Sequence, residues 1–296
     1  KNYSPSDIVI QTEGFNHLIG IMVDFQIERE EFEDANFNGK YDDGEDFTDQ
    51  NNNGVIDYHD YDDNNNYDKI LIGGKWYYED YDNSKTSGLG QFILNDSLLN
   101  YNLENFTSRC DNTIIDNFPH DSNYFLNQLL AAKNYYYQTS NELIDFQVHM
   151  IDVIYTAENQ MEYYSGSDQK LGELFSETLQ LAENDVEDYL NENNIDVNDV
   201  LFVVFHAGLG QDFSVPFLDP TTNDLKSAYI DDEMLNLNNL PSINDISINK
   251  GLLLPETQNF IFYDVVEDIF PELKDDEGYC GIQVGLTGTF VFLLGY

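Results

Sequence analysis

The residues best placed to do chemistry lie between Asp34 and Asp60. In Asp34-Ala-Asn36-Phe-Asn38-Gly39-Lys40-Tyr-Asp42-Asp-Gly-Glu45, oxygen-bearing side chains fall at positions 1, 3, 5, 9 and 12 counted from Asp34, and Gly39 takes position 6. This is the pattern of the twelve-residue calcium loop. A hard Ca2+ takes roughly 6–8 oxygens, so alternate side chains, one backbone carbonyl and a final carboxylate able to give two oxygens wrap it, with glycine at the sharp turn. The pattern returns fifteen residues on, at Asp49, Asn51, Asn53, Gly54, Val55, Asp57 and Asp60, where the shorter Asp in the last position predicts weaker binding. A degraded third copy, without the glycine, runs through Asp60, Asp62, Asn64, Asn66 and Asp68. The predicted calcium ligands are therefore Asp34, Asn36, Asn38, Lys40, Asp42, Glu45, Asp49, Asn51, Asn53, Val55, Asp57 and Asp60, with Lys40 and Val55 acting through their carbonyls. The competing reading is an acidic linker that binds nothing specifically. Two glycines at position 6 argue against it.

A spacing of fifteen residues leaves no room for the helices that flank paired EF-hands. The spacing resembles the loops of thrombospondin type 3 repeats and dockerins. Such loops are mostly extracellular, where affinities on the order of 10⁻⁴–10⁻³ M suffice. The resemblance implies a secreted protein whose loops order with Ca2+ and serve a structural role.

Composition narrows the function classes. Twelve Lys+Arg stand against 56 Asp+Glu, a net charge of −44. Such a surface repels nucleic-acid phosphates and anionic lipid, so neither is an expected partner; it favours divalent cations and tolerates salt. With 41% hydrophobic and 14% aromatic residues, the 296-residue chain can bury a substantial core. No apolar run reaches membrane-spanning length, so no membrane insertion is expected. Cys110 and Cys280 form no C-x-x-C pair, which removes a thiolate zinc site and a redox motif; one disulfide or two buried thiols both remain open. The chain begins at Lys1 and stops inside the apolar run Thr289–Tyr296, so the expectation is a fragment whose leader and continuation lie elsewhere.

The elements that must carry these loops read as an α+β domain spanning 1–296, with an insertion at 34–68. Residues 17–26 read as a buried strand. Residues 69–80 read as a hairpin turning at Gly73-Gly74. Asp121 suits a helix N-cap, and Phe125, Leu129, Ala132 and Tyr136 then share one face of a helix running to about Tyr137. Residues 142–155 alternate as a strand. A helix from Asp168 to Asn191 aligns Leu171, Leu174, Phe175, Thr178, Leu179, Ala182, Val186 and Leu190, and Val200–Phe205 is a central strand buried on both faces. From Gly281 onward, helix and strand fit equally. Strands alternating with helices predict a mixed twisted sheet packed by helices. Of the histidines His17, His59, His120, His149 and His206, none forms an H-x-H or helical i, i+4 pair. His206, at a strand end, and His120, before the cap, are expected to make local bonds only. Pro255-Glu256-Thr257-Gln258-Asn259 reads as a polar turn.

Several of these stretches, in order, resemble the secreted zinc metallopeptidases typified by immune inhibitor A. They are Gly20-Ile-Met-Val-Asp-Phe25, Thr86-Ser-Gly-Leu-Gly-Gln-Phe92, Pro119-His-Asp121, Met161-Glu-Tyr-Tyr164, Val203-Val-Phe-His-Ala-Gly208 and Gly285-Leu-Thr-Gly-Thr-Phe-Val291. The resemblance implies a metallopeptidase-like scaffold and a zinc helix bearing H-E-x-x-H, whose histidines bind Zn2+ on one face while the Glu activates water. Aligned on Gly288–Val291, those five positions here read Phe292-Leu293-Leu294-Gly295-Tyr296. Phe292 and Leu293 offer no lone pair and Tyr296 is a poor sole ligand, so Zn2+ is not expected, no catalytic residue remains and the helix should pack as core. The expectation is an inactive, calcium-stabilised extracellular binding protein that takes a peptide or protein in the former cleft. The alternatives are an active zinc endopeptidase with ligands outside this chain, and a calcium-dependent structural or adhesion module.

Overall fold

The computed structural model describes residues 14–26, 33, 35, 44–47, 69–72, 75–78, 90–94, 119–212, 225–236, 239–258 and 286–295. The strands are β1 (His17–Asp24), β2 (Lys69–Ile72), β3 (Lys75–Tyr78), β4 (Gln147–Thr156), β5 (Val200–Leu209), β6 (Ala228–Ile230), β7 (Ser242–Ile243), β8 (Ile246–Ser247) and β9 (Gly251–Thr257). The helices are α1 (Ser122–Thr139), α2 (Met161–Ser165), α3 (Asp168–Asn193) and α4 (Leu286–Leu294). β2–β3 and β7–β8 are separate two-stranded hairpins, the first with Ile72 opposite Lys75.

The core is a five-stranded sheet in the order β4-β1-β5-β9-β6. β4, β1, β5 and β9 run parallel and β6 is antiparallel at the edge. This is the mixed sheet packed by helices that the alternation predicts. All ten residues of β5 are buried, the pattern of a parallel strand covered on both faces.

The helices start and stop where their caps dictate. Asp121 accepts from the Tyr124 N–H (3.0 Å) to open α1, and the Ser167 hydroxyl accepts from the Lys170 N–H (3.3 Å) to open α3. Asn194, in the left-handed region at φ 54°, ends α3. The predicted α3 stripe from Leu171 to Leu190 is buried in full, each large apolar side chain contributing about 1.5–3 kcal/mol. Gly251 makes the close approach work, because a Cβ there would overlap the Phe175 ring.

One boundary differs from the sequence reading. β4 begins at Gln147, not at 142, because Asn141 (φ 54°) and Glu142 (φ 67°) turn the chain in left-handed conformations. The Ser140 hydroxyl then accepts from the Ile144 N–H (2.9 Å), so residues 142–146 complete the α1–β4 turn.

Lys170 pairs with Glu173 (2.8 Å) and Lys226 with Asp168 (2.6 Å), but with so few cations α3 also meets its carboxylates with neutral donors. Tyr163 donates to Glu173 (2.8 Å), Tyr164 to Glu177 (2.6 Å) and Tyr155 to Asp185 (2.6 Å). Burial first, and then these bonds, push the Tyr155 and Tyr164 phenols above their ordinary range. No described helix is long and apolar enough to cross a membrane.

Candidate functional site

The carboxyl ends of β1, β4, β5 and β9 open on one side of the sheet. The chain leaves β1 through α1 to β4 on one flank, then returns through α3 to β5 on the other. The order therefore reverses between β1 and β5, and such a reversal leaves a crevice outside the strand ends where open α/β sheets bind ligands. Asp24 and Phe25, His206–Gly208, and Glu256–Gln258 line that side.

Glu256 is its hub. The side chain is fully buried, its Oε1 accepts from the Ile93 N–H (2.9 Å) and from His120 Nδ1 (2.6 Å), and its Oε2 accepts from the Gly208 N–H (2.9 Å). One carboxylate thus ties the 90–94 segment, the start of α1 and the end of β5 to β9. Two expectations are corrected here. Pro255–Thr257 is not a polar turn but the buried end of β9, opposite His206 in register. His120 does not make only local bonds, since its partner lies 136 residues away. A buried carboxylate persists when each oxygen meets donors, and here the donors come from three separate segments that sequence spacing cannot connect. The signal available in the sequence was Glu256 itself, a single acid closing the apolar run Gly251–Pro255.

His206 behaves as expected at Nδ1, which donates to the Ala207 carbonyl (2.8 Å). Neighbouring register with Val23 of β1 sets it on the opposite face of the sheet from Glu256, near the Phe25 ring (6.1 Å). Its Nε2 is buried without a hydrogen-bond partner, and burial pushes the imidazole down to about 4, so the ring is neutral. Beyond β9, Asp212 gathers the Ser227 N–H and hydroxyl and the Gln258 amide, and burial raises its carboxyl above the usual range. Glu256 and Asp212 are engaged in holding loops together, while the buried Asp24 Oδ1, His206 Nε2 and Gln258 Oε1 have no hydrogen-bond partner.

Of the predicted calcium ligands, only Glu45 is among the described residues. It is half-buried and its Oε1 accepts from the Ala35 N–H (2.8 Å), beside a Glu33 N–H to Asp46 carbonyl bond (2.7 Å) that closes the loop. The final carboxylate of the first loop therefore folds back on the loop's start. Asp34, Asn36, Asn38, Lys40, Asp42, Asp49, Asn51, Asn53, Val55, Asp57 and Asp60 lie outside the described residues, as do Cys110, Cys280 and Tyr296. Among the described residues no group of three or more His, Cys, Asp or Glu converges as a metal site would require.

The segment resembling the zinc helix is helical, as α4, but it does not pack as uniform core. Leu286 and Phe290, one turn apart, face inward. Phe292 lies roughly 200° further round a helix of 100° per residue and is 71% exposed, while Leu293 is half-buried. α4 packs against α1, β9 and β6.

One pairing escaped the sequence altogether. His17 Nδ1 and His149 Nε2 meet at 3.0 Å across the amino-terminal ends of β1 and β4, and Tyr189 of α3 bonds His149 Nδ1 (2.8 Å). Parallel pairing of β1 with β4 brings them together over 132 residues, a distance at which no local spacing signals contact. Compared with known protein families, with curated proteins and with solved structures, the chain matches none.

Proposed function

We propose that this is a secreted binding protein on a scaffold similar to that of the immune inhibitor A-like metallopeptidases, stabilised by calcium and without peptidase chemistry. The observation that carries the reading is the edge of the sheet. β6 (Ala228–Ile230) pairs with β9 on one side and, among the described residues, with no strand on the other. An edge of this kind offers its backbone N–H and carbonyl groups to an extended peptide, which adds as a further strand while side-chain pockets give specificity. Helix α4 packs against β6, β9 and α1, and its Phe292 is exposed to solvent. In the alignment by resemblance, Phe292 stands where the family carries its first histidine and Leu293 where it carries the general base; neither side chain can perform that role. The tandem loops of 34–60 supply the calcium, and their predicted affinity range suits an extracellular setting.

The test is selection of displayed peptides on the calcium-loaded protein, followed by amide exchange. Selected peptides should slow exchange at 228–230 and emerge uncut. Peptides that protect only the opposite edge strand β4, or that are cleaved, contradict the proposal.

A further inference from the structure

The His17–His149 contact has a geometry that decides what lies between the rings. His17 opens β1, and its register partner is Gln147, so His149 is its diagonal neighbour on the same face of the sheet. The facing nitrogens are 3.0 Å apart, the ring centroids 5.2 Å apart and the planes 27° apart. An imidazole nitrogen sits roughly 1.1 Å from its ring centre, so nitrogens meeting head-on at hydrogen-bond distance leave the centres about 5.3 Å apart. The observed separation matches that in-line arrangement. Two imidazoles on a tetrahedral Zn2+ need nitrogens about 3.3 Å apart with their axes bent toward the ion at about 109°. The contact is built for a shared proton.

Protons can be placed on this chain in two equivalent ways. When Tyr189 donates its hydroxyl proton to His149 Nδ1, His149 Nε2 carries the hydrogen that bridges to His17. When His149 Nδ1 donates to the Tyr189 oxygen, His17 Nδ1 supplies the bridge. One added proton, taken at the outer nitrogen of His17, keeps the bridge, because a cationic donor to a neutral acceptor makes a stronger bond. A second added proton puts N–H groups on both facing nitrogens. The bond is then lost and two cations stand 3.0 Å apart.

Burial and the cations acting on His149 disfavour that doubly charged state. Tyr189 comes from α3 and its phenol is pushed up by burial, so it is neutral. Lys133 of α1 is the other charge acting on His149 and is a cation, paired with Asp145 at 3.1 Å. β5, on the other flank of β1, places Val200 opposite His17. Burial first, then His17 and Lys133, hold the His149 imidazole below its ordinary range. A depressed histidine stabilises the fold fully above its unfolded value near 6.5 and progressively less as the pH falls below that.

We propose that His17, His149 and Tyr189 form a one-proton clamp that ties the amino-terminal ends of β1 and β4 to α3, and that uptake of a second proton releases this end of the sheet while its carboxyl end stays closed. The release is confined to one end because Glu256 and His120 hold the other by a separate network.

The experiment is an NMR titration of the histidine ring signals of the intact chain from pH 8 to 4, with amide protection factors measured across the same range. The pair should titrate in two steps that belong to both rings together. Protection at 18–20 and 148–150 should fall at least tenfold further across the second step than protection at 203–206, which should lose only what protonation of His206 takes from the whole fold. His17→Gln should leave one step, shifted upward for His149, and remove the localised loss of protection. Tyr189→Phe, which keeps the packed ring, should preserve the fold and lower the second step, because the His149 cation loses the acceptor for its Nδ1–H. Independent titration of both rings near 6.5, or an acid loss of protection that is the same in His17→Gln, overturns the proposal. So does stoichiometric zinc uptake that abolishes the titration.

Discussion

Replacing Glu256 with Ala removes the acceptor for three buried donors at once: the Ile93 and Gly208 N–H groups and His120 Nδ1. Each donor left unsatisfied costs about 1–3 kcal/mol. The three losses share one carboxylate and do not add, so the expected destabilisation is about 4 kcal/mol. Unfolding entropy of about 2.1 cal/mol/K per residue gives roughly 0.6 kcal/mol/K for this 296-residue chain, so the melting temperature should fall by about 6–7 °C. Calorimetry and urea unfolding measure this directly. Glu256→Gln keeps the shape but turns an N–H toward at least one existing donor, so it should lose most of the same stability. A loss below about 1 kcal/mol for the Ala variant would refute the assignment of Glu256 as the pin joining three segments to β9.

Acid should weaken the fold through His206. Its neutral ring is favoured down to about 4, so its contribution is complete above pH about 6.5 and declines below it, by about 2 kcal/mol at pH 5; urea midpoints at pH 7.5 and 5 should lose this slope in His206→Leu. Gly208→Ala meets a φ of 94° and the Met161 methyl, and should cost about 2 kcal/mol in the same assay. Raising NaCl from about 0.05 to 1 M should raise the melting temperature, because screening relieves a net charge of −44 while the tyrosine–carboxylate bonds of α3 are neutral-donor bonds that salt weakens little. A melting temperature that falls with salt contradicts that picture.

The parts of the fold governed by local rules were legible in the sequence. α3 could be read because its apolar residues recur at helical spacing, and β5 because Val200–Phe205 is a continuous apolar run, although the strand's continuation through His206 to Leu209 was not read. The start of β4 was misplaced because alternation cannot distinguish a strand from a turn that uses Asn141 and Glu142 at positive φ. The site was much less legible. His17 and His149 are joined by parallel pairing and His120 and Glu256 by a side-chain bond, each over more than a hundred residues, and which segments neighbour one another is a property of the whole sheet. Phe292 shows the complementary limit. An apolar residue in an apolar helix was expected inside, but the direction it faces depends on which turn of α4 meets α1 and β9.

The calcium-stabilised, zinc-free scaffold is tested most directly by counting metals. The purified chain, dialysed against low concentrations of both ions, is analysed by mass spectrometry for calcium and zinc per chain, alongside its melting temperature with and without added Ca2+. The account expects one or two calcium ions, no zinc, and a melting temperature that rises with Ca2+. About one zinc retained per chain, or a melting temperature indifferent to Ca2+, would contradict it.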